Sequence, residues 1–160
     1  MMKIILIPLI IILMLSVGSC GGDDFSENFP NEHADLNWSD ASSSPMTWDE
    51  ATTYCENLGG RLPTISELRT LIQNCPGTET GGECGITDDC LPAADCWNDA
   101  CEGCEYDESG KYSVFGDTCR LWSSSEQFEY ADYAFFVNFY YGFTSTTPRK
   151  FGDYHVRCVQ

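Results

Sequence analysis

TWDEATTYCENLGGRLPTISEL, residues 47–68, contains two helix starts and the break between them. Thr47 with Glu50, and Thr64 with Glu67, each fit a capping box, in which the hydroxyl accepts from the third amide and the carboxylate reaches back to the first. Trp48, Ala51, Cys55 and Leu58 recur at helical spacing, and so do Ile65, Leu68, Leu71 and Ile72 just downstream. Each helix is therefore predicted to bury one stripe. Gly59-Gly60 ends the first, and Arg61-Leu62-Pro63 is the link, because Pro63 cannot continue a helix.

Downstream the composition changes twice. Residues 75–119 hold seven cysteines, and the ten acids from Glu79 to Glu108 are not interrupted by a single Lys or Arg. With almost no periodic apolar residue, this stretch is predicted to be a long insertion whose shape is held by disulfides. From Arg120 the period becomes two. Arg120 to Ser125, Tyr133 to Phe139 and Phe151 to Val159 are predicted strands, with Gly142 and Pro148 bracketing the connection between the last two. Tyr133, Phe135, Val137 and Phe139 would share one face. Helices in the front half and strands in the back half predict an α+β domain.

Upstream, Lys3, the apolar run Ile4 to Leu15 and Val17-Gly18-Ser19-Cys20 resemble the signal peptide (1–19) and lipobox of a bacterial lipoprotein. Cleavage before Cys20 would leave that cysteine as the lipid anchor, tying the chain to a membrane on the exported side of the envelope, at an outer membrane or the cell surface. The alternatives are an ordinary secretory leader with Cys20 in a disulfide, or an uncleaved anchor, which an apolar run this short disfavours. Residues 20–35, acidic and punctuated by Gly and Pro, are expected to be a tether, with His33 solvent-exposed in it. The folded domain is then 36–160.

Removal of the leader leaves seven Lys plus Arg against 25 acids, a net charge of −18. Nucleic acid is therefore not an expected partner, and an anionic bilayer would be held through lipid rather than charge. Ten cysteines fit an oxidising compartment. If Cys20 carries lipid, nine remain and one is left unpaired.

The helix pair, with Arg61-Leu62-Pro63-Thr64, Glu67-Leu68 and Leu71, resembles the opening of the Lcl C-terminal domain family. Leu121-Trp122-Ser123-Ser124-Ser125, the aromatic strand Ala134 to Phe139 and Val156-Arg157-Cys158-Val159 resemble its later strands. The resemblance covers roughly residues 36–74 and 120–160, with the insertion outside it. It implies a C-type-lectin-like fold, a bond between Cys55 and Cys158, and a recognition module rather than an enzyme.

The residues narrow the chemistry further. Trp97-Asn98-Asp99 looks like the Trp-Asn-Asp calcium motif of C-type lectins, but it lies about sixty residues before Cys158 and lacks the companion proline tripeptide. Calcium elsewhere in the acidic insertion stays open, although a solvated acidic loop is the simpler reading. Cys101 and Cys104 form one CxxC, which with Cys90 and Cys96 could hold zinc, but disulfides account for the same residues. Twelve of the 21 aromatic residues lie between Trp122 and Tyr154. Of these, Tyr140, Tyr141 and Phe143 fall at a turn, where exposed rings can stack on sugars or anchor a protein partner, with Arg149 and Lys150 as contacts to an anionic group. Only His33 and His155 could serve as a histidine base, so no catalytic set assembles. The expectation is a membrane-tethered module binding glycan or protein, with a purely structural envelope protein, or a formylglycine-generating-enzyme-like oxidase, as alternatives.

Overall fold

Both capping boxes form. In a computed structural model describing residues 27–149 and 151–160, α1 spans Trp48–Leu58 and α2 spans Ile65–Arg69. Glu50 N donates to Thr47 Oγ1 at 3.4 Å while Thr47 N donates to Glu50 Oε2 at 2.9 Å. Glu67 and Thr64 repeat the exchange at 3.3 and 2.8 Å. Gly59, at φ 86°, ends α1 in the left-handed region. The leader, the lipobox and Cys20 lie outside the described residues, as does Lys150.

The fold begins earlier than expected. Phe29 is buried, and Asn31–His33 (β1) pairs antiparallel with Leu36–Trp38 (β2). His33 is half-buried, with Nε2 2.9 Å from the carbonyl of Thr70. Residues 29–35 therefore belong to the domain and not to a tether. Their acidic composition hid the apolar anchor Phe29 and a hairpin turn that Ala34 and Asp35 make at positive φ.

The main sheet is an antiparallel meander of β3 (Arg120–Gln127), β4 (Tyr130–Asn138) and β5 (Phe143–Pro148). Here one expectation is corrected: residues 143–148 were expected to be a connection and form an edge strand. Thr144, Thr146 and Thr147 are β-branched and favour extended backbone, and Pro148 is tolerated at an edge. A second correction concerns residues 151–159. This segment is extended but makes only single bridges, from Tyr154 to Met46, His155 to Leu121 and Val159 to Arg61 and Trp38. Serine side chains break the ladder: Ser42 Oγ accepts from Val156 N at 3.2 Å and Ser39 Oγ accepts from Cys158 N at 2.8 Å.

Both faces of the sheet are covered. Phe135, Val137 and Leu121 pack with Ile65, Leu68 and Leu71 of the α2 region, while Ala134, Phe136 and Trp122 pack with Ala51 and Cys55 of α1. The helices are hooked on by a bulge in β3 between Trp122 and Glu126. There the indole of Trp48 donates to Ser123 O at 2.7 Å, Ser124 N donates to Pro63 O at 2.7 Å, and Ile65 N donates to Ser125 Oγ at 2.9 Å.

Four disulfides close the structure: Cys55–Cys158, Cys75–Cys104, Cys84–Cys101 and Cys90–Cys96. Cys119 is the free thiol among the described residues. The insertion is not held by sulfur alone, however, since Ile86 and Tyr112 join the main core. Two buried arginines also fix it. Arg69 donates to the carbonyls of Thr78, Glu79, Cys84 and Ile86. Arg157 grips Asp117 through Nε at 3.0 Å and Nη2 at 2.8 Å and donates to Ser39 O at 2.6 Å.

Candidate functional site: three tyrosines beside a polar cleft

The β4–β5 turn meets the insertion at its disulfide-bonded base. Cys104 N donates to Tyr141 O at 2.7 Å and Asp107 N donates to Tyr140 O at 2.9 Å, so the two backbones run together as a short clamp. Cys75–Cys104 fixes that clamp to the end of α2's chain. Gly103 permits the approach: it sits at φ 83°, and a Cβ there would lie 2.3 Å from Tyr141 O.

On this base Tyr106 stacks against Tyr140, with ring centroids 5.7 Å apart and planes at 22°, and lies 5.3 Å from Tyr141. Tyr106 remains 53% and Tyr141 38% exposed, so the cluster presents aromatic surface to solvent. The Tyr106 hydroxyl donates to Glu108, and that bond pushes the phenol up to about 12. The Tyr106 phenol thus keeps its proton at neutral pH, beside the Glu108 side chain.

Tyr140 also lines a cleft of about 220 Å³ shared with Cys119, Arg120, Asp153, Tyr154 and His155. His155 is oriented from behind, its Nδ1 2.8 Å from the carbonyl of Ser42. A neutral imidazole held this way carries its proton on Nδ1 and keeps an acceptor at Nε2. Arg120 lies 5.5 Å from the Tyr154 ring centroid and makes no ion pair among the described residues. The thiol of Cys119 is pushed up to about 12, mainly by burial and then by Asp117, so it stays protonated and unreactive. The arrangement offers stacking faces, donors and acceptors, as sugar hydroxyls and pyranose faces require.

Of the residues singled out in the sequence, Tyr140 and Tyr141 come together here. Phe143 does not: it turns inward, edge-on to Phe136 at 6.0 Å, because β5 begins at that residue and its side chain falls on the core face. Arg149 is not here either. It lies at the far end of β5, paired with Glu126 at 3.2 Å and 4.6 Å over the Trp48 ring. Tyr106 was missed, since its contact arises through the insertion and nothing local signals it. Asn98 of the Trp-Asn-Asp tripeptide caps a short 3-10 helix, accepting from Ala100 N at 2.9 Å and donating to Glu83 O at 2.8 Å. Cys90, Cys96, Cys101 and Cys104, the residues a zinc site would draw on, are all in disulfides.

No curated protein and no solved structure matches the chain. A model of the Lcl C-terminal domain family matches residues 30–160, beginning at the β1–β2 hairpin and spanning the insertion that the sequence placed outside the resemblance. With that match over most of its length, the chain belongs to the Lcl C-terminal domain family.

Proposed function

We propose that this protein is an exported, lipid-anchored recognition module with a C-type-lectin-like domain, which binds glycan at the tyrosine cluster without catalysing a reaction on it. The observation that carries the proposal is the stacked Tyr106–Tyr140 pair with Tyr141 beside it, half-exposed on a base fixed by disulfide and backbone hydrogen bonds. Such a platform is already ordered, so little conformational entropy is lost when a sugar ring stacks on it. The adjoining cleft supplies Arg120, Asp153 and His155 as polar contacts. Anchoring through Cys20, read from the lipobox, places the module at the envelope surface, where such ligands occur.

The test is an array of glycans and sulfated polysaccharides probed with the oxidised, exported protein, once with calcium and once with chelator. Saturable binding that weakens at least about tenfold in Tyr106→Ala with Tyr141→Ala is expected. Absence of binding from protein shown to be folded would reject glycan recognition and favour a protein partner or a structural role.

A further inference from the structure

A second surface lies at the opposite end of the sheet. Gln127 pairs with Tyr130, so Phe128 and Glu129 form the two-residue turn between β3 and β4. Phe128 is 83% exposed and Phe151, just beyond β5, is 86% exposed. Tyr130 and Tyr133 lie 5.6 Å apart, and Tyr133 shares a hollow of about 300 Å³ with Asp132, Pro148 and Phe151. The Tyr130–Tyr133 pair therefore runs from the strand end beside the turn to the hollow. Contiguous exposed apolar surface of this kind marks interaction sites, whereas isolated exposed rings do not.

Charge decides what would cover it. Glu129 and Asp132 are exposed and form no ion pair among the described residues. Of the two basic residues at this end, Arg149 is engaged by Glu126 and by the carbonyl of Ala131, and Lys150 lies outside the described residues. A second copy of this chain would bring a charge of −17 against the same sign, and an anionic bilayer or a phosphate backbone meets the same repulsion. Aromatic faces beside exposed carboxylates instead suit Lys and Arg side chains, whose charge is attracted by both.

We propose that the Phe128–Tyr130–Phe151 end of the sheet docks a cationic polypeptide segment of a partner protein. Tyr130 and Tyr140 sit ten residues apart along β4 and the turn that follows, about 30 Å in extended chain. The surface is thus separate from the tyrosine cluster, and both could be occupied at once.

The experiment measures binding of a decalysine peptide to the full oxidised chain at physiological salt. Three variants are compared: Glu129→Gln with Asp132→Asn, Phe151→Ser alone, and Glu83→Gln with Asp99→Asn as a remote pair that removes the same charge. The tip variants are expected to weaken binding about tenfold each, and the remote pair less than about twofold. All these side chains are exposed, and circular dichroism of each variant checks that it folds. Equal weakening by the remote pair, no effect of Phe151→Ser, or no binding at all would overturn the proposal. So would a Phe151-dependent dimer in sedimentation, or Phe151-dependent binding to phosphatidylglycerol vesicles, each of which would give the surface a different occupant. Glycan binding at Tyr106 and Tyr141 is read separately and does not bear on these outcomes.

Discussion

Arg69 is a buried cation whose partners in the structure are backbone carbonyls, those of Thr78, Glu79, Cys84 and Ile86. Burial alone moves its pKa, downward, and the guanidinium stays charged because its ordinary value is so high. Replacing it with Met would leave four carbonyls without this donor, at a cost of at least about 3 kcal/mol by urea unfolding. Lys should recover only part, having three donors and no planar fork. Cys119 gives a second prediction at this scale. If Cys20 carries lipid, the mature protein titrates with one thiol after unfolding without reductant, and native protein alkylates slowly at pH 8 because the thiol is buried and held up near 12. Zero thiols would place Cys20 and Cys119 in disulfides and sink the anchor. Tyr140 and Tyr141 were legible because a turn exposes rings. Arg69, Arg157 and Tyr106 were not, since each acts through partners that only the folded insertion brings near.

Among the elements, α2 carries the clearest dependence on pH. Glu67 accepts from Thr64 N at its N-cap and from both terminal nitrogens of Arg61 at 2.7 and 2.6 Å. The Arg61 hydrogen bonds hold its carboxyl below the ordinary 4.5, against the opposing effect of partial burial. Thr47 lowers Glu50 in the same sense at the start of α1. A carboxyl whose folded value is depressed contributes stability that is complete above its unfolded value and is lost as pH falls through the folded one. Thermal melts should therefore show Tm dropping below about pH 4.5, with a shallower slope in Glu67→Gln. Helix caps were legible because their signals are local. The strands were less so: Ser39 and Ser42 reach the amides of Cys158 and Val156 from more than a hundred residues away, a contact no window can register. For the base of the tyrosine cluster, Gly103→Ala is expected to reduce glycan binding, because its Cβ would force Cys104 off Tyr141 and carry Tyr106 with it. Unchanged affinity on the array would show that Gly103 does not position the platform.

At the scale of the whole molecule, the two ends of the domain are laid together. Asn37 and Gln160 exchange backbone hydrogen bonds at 3.3 and 3.0 Å, Ser39 N donates to Cys158 O at 2.9 Å, Ser42 N to Val156 O at 2.8 Å and Met46 N to Tyr154 O at 2.9 Å. Cys55–Cys158 closes a separation of 103 residues, for which chain-entropy reasoning gives about 4 to 5 kcal/mol. Cys55→Ala with Cys158→Ala should lower stability by about that amount, and a loss below about 1 kcal/mol would show that the remaining contacts already hold the ends. The pairing of these ends also sets how the domain responds to tension. A pull applied upstream of Phe29 reaches the paired segments at Asn37 first and opens their bonds one after another, like a zipper. It then stops at Cys55, where the load passes into a covalent link. The slack released before that stop is at most about 90 Å, the extended length of the chain from Phe29 to Cys55. In single-molecule pulling, the oxidised protein should yield in one short extension and then hold, while the reduced protein should run out to its full contour. In mechanical terms the disulfide is an arrestor: it lets the N-terminal segment give and keeps the loop it closes, between Cys55 and Cys158, off the path of the load.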